Sequence, residues 1–360
     1  MKNLLLCGVA ISTISAAYPA FAADDSAIQL GLGGYFKGYV SYVSQDDVAG
    51  QSARKTDILR NTEVHFNGKK VMDNGVTIGV QIDGTADGDD GFGVDESYIF
   101  ASGEWGKVNF GRSYGSAYLL QVVAPAADSN IDGRVQFIQP INYTAAGITG
   151  ISASAPETDY DQDVSAKYDK ITYISPVFSG LQAGVTYTPE SDTASRGGAG
   201  NASDTDDTTA TSDIWDVALR YENKISDTTS YRVGAGYTKA QVETGTNPDR
   251  AAWNVGLDFD IGAFGIGAAY QIDDLGDANN EVKYTAVGVD YTDGDMVYGA
   301  SYYNKDDAVN TVDLDRYSVG ATYKLIPGMS FRGSVGYYDV EDVDSSANAT
   351  AVLIGTDIKF

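Results

Sequence analysis

TAVLIGTDIKF, Thr350–Phe360, sets Val352, Ile354, Thr356, Ile358 and Phe360 on one face of an extended strand and Leu353, Gly355, Asp357 and Lys359 on the other. The first face is mostly apolar as far as its final aromatic. Terminal residues of soluble domains commonly fray, but this stripe reads as a strand that has to stay paired. The same period of two runs upstream in segments of about ten residues. LQAGVTYTP puts Leu181, Ala183, Val185 and Tyr187 against Gln182, Gly184, Thr186 and Thr188. IWDVALRYE puts Trp215, Val217, Leu219 and Tyr221 against Asp216, Ala218, Arg220 and Glu222. WNVGLDFD (253–260) and RYSVGATYKL (316–325) repeat the arrangement.

A soluble sandwich alternates in the same way, with one face in the core and one in water. Two details favour a membrane barrel. The apolar faces end again and again in Tyr, Trp or Phe, as interfacial girdles do. The polar faces are dense in Gly, Ser and Thr with interspersed charge, which suits a crowded wet lumen. The composition agrees: 41 Gly and 25 Tyr with only 8 Pro suit many strands joined by tight turns.

The pattern predicts sixteen strands, at 28–44, 58–71, 76–86, 92–103, 107–112, 170–176, 181–189, 213–224, 228–242, 250–261, 264–273, 282–292, 296–304, 314–325, 329–340 and 350–360. An even count lets the first and last strands run antiparallel and close the sheet. Short turns at Asp73-Asn74-Gly75, Glu104-Trp105-Gly106, Asp293-Gly294-Asp295 and Ile326-Pro327-Gly328 alternate with longer polar connections at 45–57, 190–212, 243–250, 274–281, 304–313 and 341–349. The longer ones hold much of the Asp, including Asp204, Asp206 and Asp207. This asymmetry is that of periplasmic turns and external loops.

Residues 1–22 read as a cleaved secretory leader: Lys2, the apolar LLLCGVAIS, then Ala20-Phe21-Ala22 before the cut. Its apolar run is too short to span a bilayer as a helix. Almost nothing hydrophobic precedes Cys7, which argues against a lipoprotein box at Leu4–Cys7. Cys7 is the single cysteine, so the mature domain, 23–360, has neither disulfides nor thiolate metal sites. Formal charge is −26, and loss of Lys2 adds one negative unit. Such acidity repels phosphate and argues against nucleic acid; in a pore it predicts cation preference.

One stretch breaks the rhythm. Residues 113–169 form a connection of more than fifty residues between two strands. Loops of that length are functional or disordered. YLLQVV, FIQPI and AAGITGIS give this one apolar content, so packing inside a wide lumen is expected, with narrowing of the channel.

At FGRSYG (Phe110–Gly115), which opens that connection, and YISPVFSGLQAGVTY (Tyr173–Tyr187), which closes it, the chain resembles the trimeric general porins of Gram-negative outer membranes. GYFKGYVSY near the start and Phe360 extend the resemblance over the whole mature chain. It implies a 16-stranded antiparallel transmembrane β-barrel with a long third external loop folded into the lumen. It further implies a homotrimer in outer-membrane lipid and lipopolysaccharide, and passive diffusion of small hydrophilic solutes and ions. In the family, the aromatic terminus is read by the assembly machinery, and wall bases face loop carboxylates across an eyelet.

Carried over residue by residue, the pore-constriction candidates are Lys37, Glu63, Arg112, Asp128, Asp132, Arg134 and Lys170. Lys37 in GYFKGYV is inward by parity, opposite Phe36, Val40 and Tyr42. Arg112 would share the lipid face of Val108 and Phe110 unless Gly111 breaks register. Glu63, in TEVHFNG, stands where many family members carry arginine; with Val64 and Phe66 toward lipid, Glu63, His65 and Asn67 face the lumen. Arg54 and Arg60 lie nearby. APAADSNIDGR replaces the PEFGG-like loop tip, leaving Asp128 and Asp132 as loop carboxylates with Arg134 beside them. Each of these charges has a plainer reading as an ordinary lining residue, and the lone His65 as a structural hydrogen-bonder.

Other signals are weak. Gly31, Gly33 and Gly34 open no helix, so a nucleotide loop is excluded. DGTADGDDG (Asp83–Gly91) has calcium-like oxygen spacing without the bidentate acid. No cofactor is predicted beyond divalent cations such as Ca bridging acidic loops to lipopolysaccharide. The alternatives to a general diffusion pore are a substrate-specific channel, which would show stacked aromatics along the lumen, and a barrel lipase or protease, which would need a base beside a nucleophile.

Overall fold

In the computed structural model, which describes residues 28–88, 91–152, 158–191, 211–243 and 248–360, the alternating segments pair edge to edge into one closed barrel. The leader at 1–22 and Asp204, Asp206 and Asp207 lie outside the described residues. The strands are β1 Gln29–Gln45, β2 Thr56–Val71, β3 Thr77–Gly88, β4 Gly91–Gly103, β5 Gly106–Arg112, β6 Asp169–Ile174, β7 Leu181–Glu190 and β8 Thr211–Ser226. There follow β9 Thr229–Val242, β10 Arg250–Ile261, β11 Phe264–Asp273, β12 Val282–Asp293, β13 Met296–Asp307, β14 Val312–Ile326, β15 Met329–Glu341 and β16 Ser346–Lys359. Each pairs antiparallel with its neighbours in chain order.

Closure is made by β1 against β16, in register from Tyr35↔Lys359 to Gln45↔Ala349. Phe360 continues the ladder: its carbonyl accepts from Gly34 N–H at 2.9 Å and its N–H donates to Gly34 O at 3.1 Å. Gly34 adopts φ 155, and its missing Cβ leaves room for the Phe360 ring and the Glu63 carbonyl. The connections expected at 304–313 and 341–349 are shorter than predicted. Pairing runs on to Asp307↔Val312 and Glu341↔Ser346, so the staves rise past the apolar band before they turn.

The alternation sorts as a barrel requires. Along β8, Trp215, Val217 and Leu219 are exposed outward while Asp216 and Arg220 are buried inward. A soluble sandwich would reverse this. The buried apolar residues lie within the barrel, where Ile138, Ile141, Tyr143, Ile148 and Ile151 of the 113–169 connection pack against Tyr303, Leu314, Tyr338 and Leu353 of the wall. Among the described residues no helix is long and apolar enough to cross a membrane; the strands do the crossing.

Val217, midway along β8, tests which solvent the outer face meets. Val217→Arg is expected to destabilise the barrel by about 2–4 kcal/mol in urea titrations of folding into phospholipid vesicles. A loss below about 1 kcal/mol would place Val217 away from the hydrocarbon midplane.

Candidate functional site

The long connection leaves the wall early because β5 stops at Arg112. Gly111 just before it adopts φ 122, a conformation that only glycine takes easily. The chain turns into the lumen as α1, Ser116–Leu119. Ser116 N–H donates to Thr186 Oγ1 at 2.8 Å and the Ser116 hydroxyl donates to Asp216 O at 3.3 Å. Residues 120–127 then cross the inner wall from β9 to β14. At each crossing the wall presents a glycine: Gly234, Gly256, Gly267, Gly288, Gly299 and Gly320. A Cβ at any of them would meet loop atoms of Leu120–Ala127. The six form a track that lets the loop backbone lie on the sheet.

Three of the expected bases secure this loop. Lys170, 3% exposed, donates from Nζ to the carbonyls of Ser113 (2.5 Å), Ser165 (2.9 Å), Ala166 (2.6 Å) and Tyr168 (2.8 Å). It thereby clasps the loop's first residue to its last turn. Arg112 donates to Lys167 O at 2.8 Å and Val94 O at 2.9 Å. Lys37, 5% exposed, lies over the rings of Tyr35, at 3.9 Å, and of Phe137 from the loop. All three sit beside the loop and take part in holding it.

The loop tip is held as firmly. Asp128, 1% exposed, accepts from Tyr39 OH at 2.9 Å and pairs with Arg332 at 2.9 Å. Asp132 accepts from the N–H groups of Ala127 (2.9 Å) and Asp128 (2.8 Å) and from the Ser301 hydroxyl. Burial raises its pKa above the ordinary carboxylate value, against the pull of Arg316 and these hydrogen bonds. Arg134 donates to Tyr118 O at 2.6 Å and stacks over the Tyr118 ring at 3.9 Å. The two predicted carboxylates are therefore docked into the wall, while Arg134 is held on Tyr118 within the loop.

Strand register assembles a different charged group. Tyr35↔Glu63, His65↔Asp83 and Asp83↔Glu96 are cross-strand neighbours on β1–β4. His65 Nε2 lies 3.2 Å from the Glu63 carboxylate, and the Tyr35 ring meets the imidazole edge-on at 5.9 Å. Facing this acidic wall, the loop brings Lys167, ion-paired with Asp95, and the stacked rings of Tyr114 and Tyr118, 3.6 Å apart. Burial works against the Lys167 charge, but Asp95, Glu96 and Glu63 together hold its ammonium above the usual lysine value.

Glu63 is thus where its parity predicts, but Asp83, Asp95, Glu96 and Lys167 were not anticipated. The reason lies in β4. Pairing slips there, with Asp83↔Glu96 followed by Gly84↔Val94, so Asp95 is an inserted residue. A bulge of one residue exchanges the faces on either side of it, and Val94 turns outward although Glu96 turns in. The register of GFGVDESYIF cannot be read by counting in twos. In DGTADGDDG, Asp87 pairs with Arg60 and Asp89 and Asp90 lie outside the described residues. Among the described residues no cluster of His, Asp and Glu is arranged to hold a metal ion.

The glycine track supplies a test. Gly256→Val and Gly288→Val would each force the loop off the wall and into the lumen, lowering single-channel conductance in planar bilayers. Gly333→Ala, where a Cβ meets only the Leu353 carbonyl at an ordinary contact of 3.7 Å, leaves conductance unchanged. Equal conductance in all three, with heat-modifiable gel mobility confirming a folded barrel, would refute the track.

Comparison with known proteins agrees with this architecture. Among solved structures, the anion-selective porin from Comamonas acidovorans superposes with a TM-score of 0.62 at 16% identity, covering 93% of this chain and 100% of that one. A triple mutant of the Rhodopseudomonas blastica porin gives 0.59 at 19% identity, with 92% and 100% covered. An uncharacterized protein of Rickettsia conorii is 23% identical, and one of Rickettsia felis 24%, each over 100% of both chains. A family model described as Gram-negative porin matches residues 8–343. With nearly the whole closed barrel inside that match, the chain belongs to the Gram-negative porin family, non-enzymatic channels of the outer membrane.

Proposed function

We propose that this porin prefers cations and that its constriction lies between the acidic wall of β2–β4 and the loop face bearing Tyr114, Tyr118, Arg134 and Lys167. The observation that carries the reading is the acidic row of Glu63, Asp83 and Glu96, in which Asp83 and Glu96 stand directly opposite each other and Glu63 lies diagonally to Asp83, beside His65. Like charges on adjacent strands are mutually destabilising, so the row stands out as a cost that packing alone does not require. In a narrow wet passage such a row raises the local concentration of cations and depletes anions. Lys167 and Arg134 on the opposite side complete a transverse field. Its polarity is opposite to the one the resemblance implies, with acids on the wall and bases on the loop. Lys37, Arg112 and Lys170 act as positioning residues for the loop in this reading, and Asp128 and Asp132 as its anchors.

The Comamonas porin is anion-selective by description, whereas a formal charge of −26 and this acidic row argue the other way here. Reversal potentials in a KCl gradient across planar bilayers test it, and clear anion preference in the native protein would overturn the proposal. The triple substitution Glu63→Gln, Asp83→Asn, Glu96→Gln is expected to cut the K+/Cl− permeability ratio roughly threefold. The effect is modest because mobile ions screen charge over about 10 Å at 0.1 M salt.

We further propose a homotrimer. β5 and β6 are only 7 and 6 residues long, against the roughly 9–11 that a tilted strand needs to cross hydrocarbon. Their outer faces, with Phe110 and Ile171, are apolar and exposed. A neighbouring copy would cover this low section of wall. Mass photometry of the detergent-solubilised protein is expected to give three copies per particle, and a monomer would refute the assignment.

A further inference from the structure

Behind the loop tip, the inner wall of β13–β15 carries a polar patch. Tyr303↔Arg316↔Tyr338 and Ser301↔Ser318↔Gly336 are successive cross-strand rows on the lumen face, and Gly320↔Ser334 belongs to the next. Water hardly reaches it: Arg316 is 1% exposed, Tyr338 0%, Ser318 5% and Ser334 7%. The Tyr338 ring leans over Gly336, where a Cβ would stand 2.9 Å from the ring and 3.3 Å from its hydroxyl. That tilt carries the OH beside Ser318, the partner of Gly336, and toward Ser334. Four side chains thus converge from two adjacent strands.

A guanidinium presents donors on all of its nitrogens and accepts nothing. In Arg316, Nη1 donates to Thr158 O at 3.3 Å, and the guanidinium carbon lies 4.5 Å from the centre of the Tyr303 ring. Nε and Nη2 find no acceptor among the described residues, and the hydroxyls of Ser318, Ser334 and Tyr338 are equally without partners. Asp132, the carboxylate that feels the Arg316 charge, is already occupied by the N–H groups of Ala127 and Asp128 and by the Ser301 hydroxyl. Donors are therefore in surplus. The apolar cluster of Ile138, Tyr143, Tyr303 and Leu353 surrounds them. A buried cation without a paired anion is costly, and a low dielectric strengthens its attraction for one.

We propose that Arg316 Nε and Nη2, with the hydroxyls of Tyr338, Ser318 and Ser334, bind one small monovalent anion of the chloride class between the loop and the wall. A halide is spherical and carries no proton, so it accepts from donors of mixed direction, and each hydroxyl can turn to face it. The ion joins β14 and β15 to the guanidinium that holds Thr158, and so fastens the loop from behind. The site is buried away from the passage and does not depend on which ions the lumen prefers.

Crystals of the native protein grown in sodium bromide give the direct test, because bromide scatters anomalously and water does not. An anomalous peak within hydrogen-bonding distance of Arg316 Nε or Nη2 is expected; peaks only elsewhere, or none, would overturn the site. In solution, bromide replacing gluconate at constant ionic strength is expected to raise the unfolding temperature along a saturating curve, read by heat-modifiable gel mobility. Arg316→Met abolishes the rise. The combined Tyr338→Phe, Ser318→Ala, Ser334→Ala substitution removes only hydroxyl oxygens and guards against failure of the arginine variant to fold. It is expected to raise the half-effect bromide concentration at least roughly tenfold, since hydrogen bonds to a charged group are lost. A native unfolding temperature that ignores bromide, or a half-effect concentration unmoved by the triple substitution, would equally refute the proposal.

Discussion

Every backbone N–H and C=O placed in hydrocarbon needs a partner from the chain itself, because each one left alone costs several kcal/mol. The rest of this molecule follows from that constraint. It requires the sheet to close, and closure makes the pairing of β1 with β16, down to Phe360 and Gly34, as necessary as any interior ladder. Once the sheet is closed, the pleat assigns each residue to lipid or lumen without further choice. Trp215, Val217 and Leu219 then meet apolar chains, and Asp216 and Arg220 are enclosed with water and the inserted loop.

The loop is best understood as a second layer packed on the inside of that wall. Its apolar residues build with Tyr303, Leu314 and Tyr338 a core that the barrel alone lacks. Its close approach over β9–β14 depends on the absence of side chains at one position per strand. The charges at its edges are mostly spent on position, with Lys170 of β6 clasping the base and Asp128 fastening the tip through Arg332. The charges left to face Glu63, Asp83 and Glu96 are those that anchoring does not consume.

Most of the barrel was legible in the sequence because one physical rule, alternation, writes it. Strands such as 250–261 and 264–273 agree to the residue with β10 and β11. The family was legible in FGRSYG and the stretch that closes the long connection. Legibility ended where the rule is locally broken or never applied. The insertion at Asp95 hides which carboxylates of β4 face inward. The glycines of the inner track look in sequence like any strand glycine, since what they accommodate lies 112 or more positions away. Lys37, Arg112 and Lys170 carry the charge and place a wall base needs, but sequence does not say whether a charge meets solutes or a loop carbonyl.

The tip anchors have a consequence for the order of events. Asp128 waits for Arg332, 204 positions further along, and Asn130 for Asp357, 227 positions further. Both partners belong to the last two staves to be made. Until those arrive and the seam is sealed, the tip has only its contacts to Tyr39 and Ser301, and an unfinished molecule would be a wider, less discriminating hole. The narrow gauge of the conduit is therefore the final product of assembly, installed by the same step that makes the wall watertight.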